Sequence, residues 1–540
     1  MTFSAAVRSH EDGSQEPLNK QPKRVVAILS RQGKYWLVGG LALLAVLAYI
    51  GVTFATDQVG FPLDDSWIHQ TYARNLARSG QWEFVPGIVS SGSTAPLWTL
   101  LLAVGYVLGL PYFFWSFLLG WACLAWTGWA AMRLWGVLWP RRNNLDWIIG
   151  AVLVLSWPLV WAAGSGMETL LFIALELEAL YIYSLHARGR GRSTASLGIV
   201  VGLLVLTRPE GLGMLALLVA GMLLSGSERS VRIRNAAMLF VGALLPMIPY
   251  FAFNLWSSGN IWPNTFYAKQ VEYASVYAQP LATRFVRLLY LSLGGAADGW
   301  RGISGGHLVL LPGVIVAGYR ALQRDWRKRE MFLTVPLLWA AGLVFVYAWR
   351  LPVTYQHGRY LFPAIPIWIL YGIEGWLALS ITIKERIGSL KRVHFILTRM
   401  GVMTFAVLLL IFLLLGLQVF AQDVSFVNGE MVAVGQWLQE NTPSHTLIAA
   451  HDIGAIGYFA ERSILDLAGL ISPEVIPLLS DRDALIDYVS QSQSDYLVTA
   501  PGWTYDRLTT DANSILEYST GYIWTQGQGV NNMEVYRLSK

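Results

Sequence analysis

Two adjacent carboxylates follow the first apolar segment of the chain. Residues 61–72 read FPLDDSWIHQTY, so Asp64 and Asp65 come shortly after the apolar run Tyr35–Ala55. At the mouth of a cavity, partial desolvation raises the pKa of a carboxylate toward the range in which it can take a proton from a hydroxyl. The neighbouring carboxylate could orient this base or bind a cation. A solvated loop whose Asp caps a helix is the alternative, and these residue types alone leave both open.

Other charged residues stand where later apolar runs end. Glu168 lies at a predicted helix start, where the helix dipole alone would favour a negative charge. Lys269 follows the aromatic segment WPNTFYA, which contains Asn264 and Tyr267, and its ammonium could either snorkel to the membrane surface or hold a phosphate. Arg208 is a further candidate for phosphate, although pairing with Glu210 would also explain it.

A basic and aromatic cluster follows on the same predicted side, formed by Arg350, His357, Arg359 and Tyr360. It runs against the tendency of positive charge to stay on the cytoplasmic side of a membrane protein. That exception favours an anionic ligand.

The composition shows what kind of protein positions these groups. The chain has 540 residues, of which 54% are hydrophobic and 14% charged, and its mean hydropathy is +0.46. Apolar runs of about 20 residues recur between short polar joints, which predicts a polytopic α-helical membrane protein. The basic residues are confined to those joints, as expected for the cytoplasmic loops of a membrane protein. The pI near 9.1 therefore indicates membrane topology and predicts no nucleic-acid partner. Cys123 is the single cysteine, which excludes an intramolecular disulfide.

The basic joints also predict the topology. Residues 1–34 form a disordered cytoplasmic leader, and residues 35–422 cross the membrane about eleven times, with external loops at 57–95 and 254–306. Two segments are unusual, because Pro96–Leu110 fits a shallow or re-entrant helix before a crossing at Trp115–Trp139, and two short apolar halves flank the turn at Arg208.

The tail, residues 423–540, has a different character. It holds fifteen Asp and Glu against five Lys and Arg, and it lies outside the membrane in this topology. Short runs at Thr446–Ala450, Ser463–Leu467 and Asp495–Thr499 predict strands, with a helix near Asp483–Ser490, which together favour an extracytoplasmic α/β domain. The adjacent pair His451-Asp452 would point to opposite faces of a strand, which favours a structural role.

Five short motifs in this order resemble the GT-C superfamily of polyprenyl-phosphate-sugar-dependent glycosyltransferases, and most closely the cell-wall terminal β-arabinofuranosyltransferases. The tail segments DIGAIGY and DLAGL are similar to the external C-terminal domain of that family. The motifs are Leu63-Asp64-Asp65, Ser165–Thr169, Leu206–Gly211, Pro263–Lys269 and Gly358–Pro363.

The resemblance implies an inverting transfer of a sugar, such as arabinofuranose, on the outer face of the plasma membrane. The donor would be a polyprenyl-phosphate sugar, and the acceptor an envelope glycan, glycolipid or glycoprotein. Asp64 would be the base with Asp65 in support, and Glu168 would line the donor or acceptor pocket. Lys269 and Arg359 would receive the phosphate. The remaining substrate-binding candidates are Asn264, Tyr267, Tyr360, His357 and Arg208.

The chemistry requires no cofactor, because the lipid phosphate is already a good leaving group. A cluster of Asp64, Asp65 and Glu168 could nevertheless hold Mg²⁺ or Ca²⁺. Two other functions remain open at this point. A flippase or transporter for lipid-linked sugars would need ionisable residues near helix midpoints, where Glu176 and Glu178 are candidates, and internal repeats, of which the sequence shows none. A non-catalytic envelope assembly protein would leave Asp64, Lys269 and Arg359 without a joint purpose.

Overall fold

The computed structural model describes residues 31–54, 59–191, 193–297, 302–386, 391–510 and 514–539. The predicted leader falls outside this part of the chain up to residue 30. The first apolar run forms a helix, and a short hairpin separates the next two helices. These elements are α1 (Arg31–Phe54), α2 (Asp65–Ser79), β1 (Glu83–Val85), β2 (Ile88–Val89), α3 (Pro96–Val107) and α4 (Tyr112–Leu138).

Six helices follow α4 before the predicted external loop at 254–306. A bend of 58° separates α6 from the helical segment before it, where Ser156 and Pro158 interrupt the apolar run. The six are α5 (Asp146–Val154), α6 (Trp157–Gly164), α7 (Thr169–Ala187), α8 (Thr194–Val205), α9 (Gly211–Leu223) and α10 (Arg229–Ser258).

The predicted external loop is itself helical over much of its described length. It contains α11 and α12, and the chain then forms six further helices. The last two are joined by a π-helical segment at Asn428–Val432. The eight helices are α11 (Asn264–Glu272), α12 (Leu281–Ser292), α13 (Leu311–Lys328), α14 (Thr334–Arg350), α15 (Tyr355–Gly358), α16 (Ile365–Arg386), α17 (Lys391–Val427) and α18 (Ala433–Asn441).

Helices long and apolar enough to cross a membrane number six among the described residues, or seven if the bent pair ending at Gly164 is one span. Four shorter apolar helices accompany them, α3, α8, α9 and α14. The expectation of about eleven crossings stays a prediction, because a helix of 12 or 13 residues is too short to span a bilayer core alone.

The tail builds a five-stranded sheet in the order β4-β3-β5-β7-β6. Strand β3 pairs parallel with β4 and β5, and β7 pairs antiparallel with β5 and β6. Its elements are β3 (Leu447–Ala450), α19 (Gly454–Ala460), β4 (Ser463–Asp466), α20 (Arg482–Gln491), β5 (Tyr496–Thr499), α21 (Asp506–Thr510), β6 (Ser514–Ser519), α22 (Ile523–Gly527) and β7 (Glu534–Leu538).

The tail packs directly on helix α2. The ring of Trp67 lies 4.9 Å from that of Tyr458 and 4.7 Å from that of Phe459. Arg74 donates to the carbonyl oxygen of Tyr458 at 2.8 Å, and its guanidinium lies over the Tyr458 ring. Since α2 also packs on α3, its residues 66–75 are all buried.

Candidate active site

A cavity of about 590 Å³ opens among α2, α7, α9, α11 and α14. One end is charged and the other is apolar, so the cavity suits a ligand with a polar head and a hydrocarbon chain. The charged end is lined by Asp65, His69, Glu168, Arg208, Lys269 and Arg359, together with Tyr360.

Asp65 is the first residue of α2, and its side chain enters the cavity. It accepts a hydrogen bond from Arg359, and the Lys269 Nζ lies 3.8 Å from the same carboxylate oxygen. Burial alone would raise the pKa of Asp65, but the positive charges of Lys269 and Arg359 outweigh it and hold this pKa well below its ordinary value. Asp65 is therefore ionised in this arrangement.

Tyr360 lies at the centre of the positive groups. Its hydroxyl is 3.1 Å from the Lys269 Nζ and 3.4 Å from a terminal nitrogen of Arg359. The Arg208 guanidinium lies over its ring, 5.3 Å from the ring centre. The Nε and Nη1 atoms of Arg359 are buried and have no hydrogen-bond partner among the described residues. Because such donors are costly to leave unpaired, they favour an anionic ligand here.

Glu168 and Arg208 form the opposite side of the charged end. Arg208 donates to the Tyr347 hydroxyl at 2.6 Å and to Glu210 at 3.2 Å, and its Nε lies 3.9 Å from Glu168. Glu168 lies immediately before α7, and its Oε2 is buried with no hydrogen-bond partner among the described residues. Both side chains enter the same cavity as Asp65.

His69 lines the cavity as well, although no sequence motif predicted a role for it. Its Nε2 lies 3.6 Å from Glu168 Oε2, and its Nδ1 lies 3.2 Å from the Thr99 hydroxyl. Burial lowers the pKa of His69 below its ordinary value of 6.5, although Glu168 opposes this shift. The available signal was its spacing, because residues four apart on a helix share a face and His69 follows Asp65 by four.

Asp64, predicted as the base, does not line the cavity. Its carboxylate accepts from the backbone N–H groups of Gly454 and Ala455, at 2.8 and 2.7 Å, in the tail. Burial, with a smaller contribution from nearby Asp452, raises the pKa of Asp64 to about 7. Asp64 thus joins the tail to the start of α2.

Three further predicted substrate residues are not part of the cavity lining. Asn264 begins α11, and its backbone N–H donates to Ser91. The ring of Tyr267 contacts that of Phe266, which does line the cavity. His357 is bonded to Asp423 at 2.7 Å, with its ring edge-on to Trp157 and Trp161.

The predicted cation ligands are held apart by different partners. Asp64 binds tail backbone, Asp65 pairs with Arg359, and Glu168 lies beside His69 and Arg208. Within the described ranges, no three His, Cys, Asp or Glu side chains are grouped so as to hold a metal ion. These residues do not fit a shared metal site in this arrangement, and we draw no chemical step through one. A divalent cation stays a prediction.

The apolar end of the cavity is a groove between α9 and α14, which no sequence motif predicted. Leu212 and Leu217 of α9 face Leu338, Val346 and other residues of α14. A Cβ placed on Gly342 would meet no atom within 4 Å, so the groove is open beside this residue. Leu338 is 42% exposed and Trp349 52%, as expected for a surface that contacts hydrocarbon.

The sequence of the tail matches a known protein family. Residues 421–536 match the model of a domain of unknown function, DUF8728. No curated protein matches the chain.

Solved structures resemble the chain over most of its length. The apo oligosaccharyltransferase of Archaeoglobus fulgidus has a TM-score of 0.58 at 12% identity, over 87% of this chain and 70% of that one. Apo ArnT of Cupriavidus metallidurans has a TM-score of 0.55 at 15% identity, over 93% and 97%. ArnT bound to undecaprenyl phosphate gives a TM-score of 0.54 at 15% identity, over 94% of this chain and 98% of that one.

The match to mycobacterial arabinofuranosyltransferase AftD spans 95% of this chain and 40% of AftD, at 13% identity. Its TM-score of 0.46 is too low to carry an argument. All three proteins are GT-C glycosyltransferases. At these identities the oligosaccharyltransferase and ArnT show a shared fold, and the GT-C resemblance read from the sequence is confirmed at the level of the fold. The chain is a helical protein of the GT-C fold with several candidate membrane spans.

Proposed function

We propose that this protein is a membrane glycosyltransferase that moves a sugar from a polyprenyl-phosphate donor to a hydroxyl group of an acceptor. The observation that carries the proposal is the single cavity that joins three buried or half-buried cations to an apolar groove. A polyprenyl-phosphate sugar has the matching parts, with the phosphate and sugar at one end of a long hydrocarbon chain. ArnT, which shares the fold, has been solved with undecaprenyl phosphate bound.

The phosphate would bind between Lys269 and Arg359. Their charges already converge on Asp65 and on the Tyr360 hydroxyl, and Arg359 keeps two unused donors. A phosphate in this place receives positive charge where negative charge develops as the bond between it and the sugar breaks. The lipid phosphate is thereby stabilised as the leaving group.

Asp65 is the base in this proposal, in place of Asp64. Lys269 and Arg359 now hold its pKa low, and a bound phosphate that draws on the same cations raises it again. Asp65 would then accept the proton of the acceptor hydroxyl while that oxygen attacks the anomeric carbon. The bond to the phosphate breaks on the opposite side, so the configuration inverts. Polyprenyl phosphate departs with the electron pair.

The prenyl chain would lie in the groove between α9 and α14, which places the sugar at the depth of Asp65. We propose that the charged end of the cavity opens on the outer face of the plasma membrane. The N-terminus is then cytoplasmic and the tail extracytoplasmic. The acceptor is then an envelope glycan, glycolipid or glycoprotein that arrives from water. Arabinofuranose is the first donor sugar to try, on the strength of the sequence motifs.

The test is turnover by the full chain, purified in lipid nanodiscs, with a panel of polyprenyl-phosphate sugars and envelope glycan acceptors. We expect release of polyprenyl phosphate together with a glycosylated acceptor. A flippase would instead move the lipid between leaflets of liposomes without releasing phosphate. Of the midhelix residues that such a function would use, Glu178 pairs with Arg133. Glu176 accepts from Trp339 through Oε2, and its Oε1 is buried with no hydrogen-bond partner among the described residues.

A further inference from the structure

The pair formed by His69 and Glu168 has unused hydrogen-bonding capacity inside the cavity. Their facing atoms, His69 Nε2 and Glu168 Oε2, are 3.6 Å apart, which is longer than the 2.7–3.2 Å of a direct N–H···O hydrogen bond. His69 is 3% exposed and Glu168 is 6% exposed, and Oε2 has no hydrogen-bond partner among the described residues. A buried carboxylate oxygen in this state favours a ligand that donates to it.

A chain of hydroxyl groups leads away from the His69 Nδ1 atom, on the side of the ring opposite the Glu168 contact. The Thr99 hydroxyl lies 3.2 Å from Nδ1, and the Ser93 hydroxyl lies 3.1 Å from that of Thr99. A neutral His69 whose Nδ1 accepts from Thr99 carries its proton on Nε2. One donor, Nε2–H, and one acceptor, Oε2, then face the cavity side by side.

The backbone loop before Glu168 is anchored by its neighbours. It is fixed from three sides, because Ser66 donates to the Ser165 carbonyl, Trp98 donates to the Gly166 carbonyl at 2.8 Å, and the Phe61 ring covers Gly166. Gly166 has a φ of 72°, a backbone conformation that glycine adopts without strain. The backbone that carries Glu168 is therefore held in place by the surrounding elements.

We propose that His69 and Glu168 bind one hydroxyl group of a sugar in the cavity. The hydroxyl oxygen accepts from His69 Nε2–H, and its hydrogen is donated to Glu168 Oε2. An oxygen at hydrogen-bond distance from both atoms fits, because two such distances together exceed the 3.6 Å that separates them. This inference rests on the proposed function and adds a determinant of sugar specificity, in which His69 is new.

Either the donor or the acceptor could supply the hydroxyl, and two binding measurements separate these sources. The first compares the affinity of the full chain for undecaprenyl phosphate with that for undecaprenyl-phosphate arabinofuranose, mannose and glucose. The second measures the affinity for soluble arabinan and mannan oligosaccharides. Both measure binding and need no turnover, so they give a result even if the proposed transfer fails.

The variants are His69→Phe, which removes both ring nitrogens, and Glu168→Gln, which removes the charged acceptor. We expect each to lower the affinity for the preferred sugar ligand about tenfold or more and to change the affinity for undecaprenyl phosphate by less than about threefold. His69→Gln keeps a nitrogen donor near Nε2 and should retain part of the affinity. His307→Phe is the matched control, because His307 is buried outside this cavity and bonds to Ser292.

A loss confined to the lipid-linked sugars assigns the hydroxyl to the donor, and a loss confined to the oligosaccharides assigns it to the acceptor. Sugar affinities that the His69→Phe and Glu168→Gln variants leave unchanged would overturn the inference. So would an equal loss of affinity for undecaprenyl phosphate, since that is a general structural effect. If the sugars bind as expected but no polyprenyl phosphate is released on incubation with acceptors, the inference stands and the proposed transfer fails.

Discussion

Asp64 and Asp65 are adjacent in the chain, but their carboxylates bind different parts of the protein. Asp64 accepts from the backbone of Gly454 and Ala455 in the tail, whereas Asp65 pairs with Arg359 inside the cavity. The first contact joins the tail to α2, and the second joins α2 to the cationic end of the cavity. The two carboxylates therefore have separate surroundings, and the proposed function assigns the chemical role to Asp65.

The contact of Asp64 with the tail predicts a pH dependence of stability. The pKa of Asp64 is raised from 3.8 to about 7, so the folded chain holds a proton that the unfolded chain releases. A raised folded-state pKa stabilises the protein at low pH, and this contribution is lost as the pH rises through about 7. The Tm of the wild type should fall between pH 4.5 and 8, and the fall should be smaller in Asp64→Asn.

Scanning fluorimetry of the detergent-purified chain measures this difference. Asp452, Asp65, His451 and Glu272 are the other charged groups near the contact. Burial raises the pKa of Asp452 as well, so the comparison of variants matters more than the wild-type curve. Asp483→Asn is the control, since Asp483 forms an exposed pair with Arg507. Identical slopes in Asp64→Asn and the wild type would refute the role given to Asp64.

Lys269 should contribute directly to phosphate affinity. Replacing it by Gln removes a positive charge that lies 3.1 Å from the Tyr360 hydroxyl and 3.8 Å from Asp65. Because a hydrogen bond to a charged group is worth roughly 1.5–3 kcal/mol, the Kd for undecaprenyl phosphate should rise about 10- to 100-fold. Lys34→Gln is the matched control, as Lys34 pairs with Asp146 away from the cavity. Equal affinities of the two variants would remove Lys269 from the site.

Substitution of Gly342 tests whether the prenyl chain binds in the groove. Substitution by Leu places a side chain into the space between α9 and α14 without a clash at its Cβ, and Leu is a better helix former than Gly. The variant should keep or raise the wild-type Tm while losing affinity for undecaprenyl phosphate. Its affinity for a short-chain geranyl phosphate should change less, since a short chain fills less of the groove.

Gly51→Leu in α1 serves as the comparison for Gly342→Leu. A Cβ on Gly51 also meets no atom within 4 Å, and Gly51 lies outside the cavity lining. If both variants bind undecaprenyl phosphate like the wild type, the prenyl chain does not lie against α14.

The sequence predicted the charged end of the cavity better than its surroundings. Asp65, Glu168 and Lys269 each lie at or near a helix end on one predicted side, and charges in such places can be read from the ends of apolar runs. Arg208 and Arg359 were identified by the same reasoning, and all five line one cavity. Their chemical roles stay predictions.

Other features depended on packing that no local pattern encodes. Whether Asp64 or Asp65 enters the cavity is decided by α2 beginning at Asp65 and by the position of α19 in the tail. The groove depends on which face of α14 its neighbours leave uncovered, although the sequence of α14 reads as an ordinary apolar helix. The number of membrane crossings was predicted from the positions of the basic joints. The helix lengths do not determine this number, because α8 and α9 have only 12 and 13 residues.

The most direct test of the account compares wild type, Asp65→Asn and Asp64→Asn in nanodiscs, with the lipid-linked sugar that supports turnover. Polyprenyl phosphate released per minute is the measured quantity. We expect wild-type release, a loss of roughly 100-fold or more in Asp65→Asn, and substantial release by Asp64→Asn at a pH where it is folded. Release that persists in Asp65→Asn and disappears in a folded Asp64→Asn protein would contradict the account and return the base to Asp64.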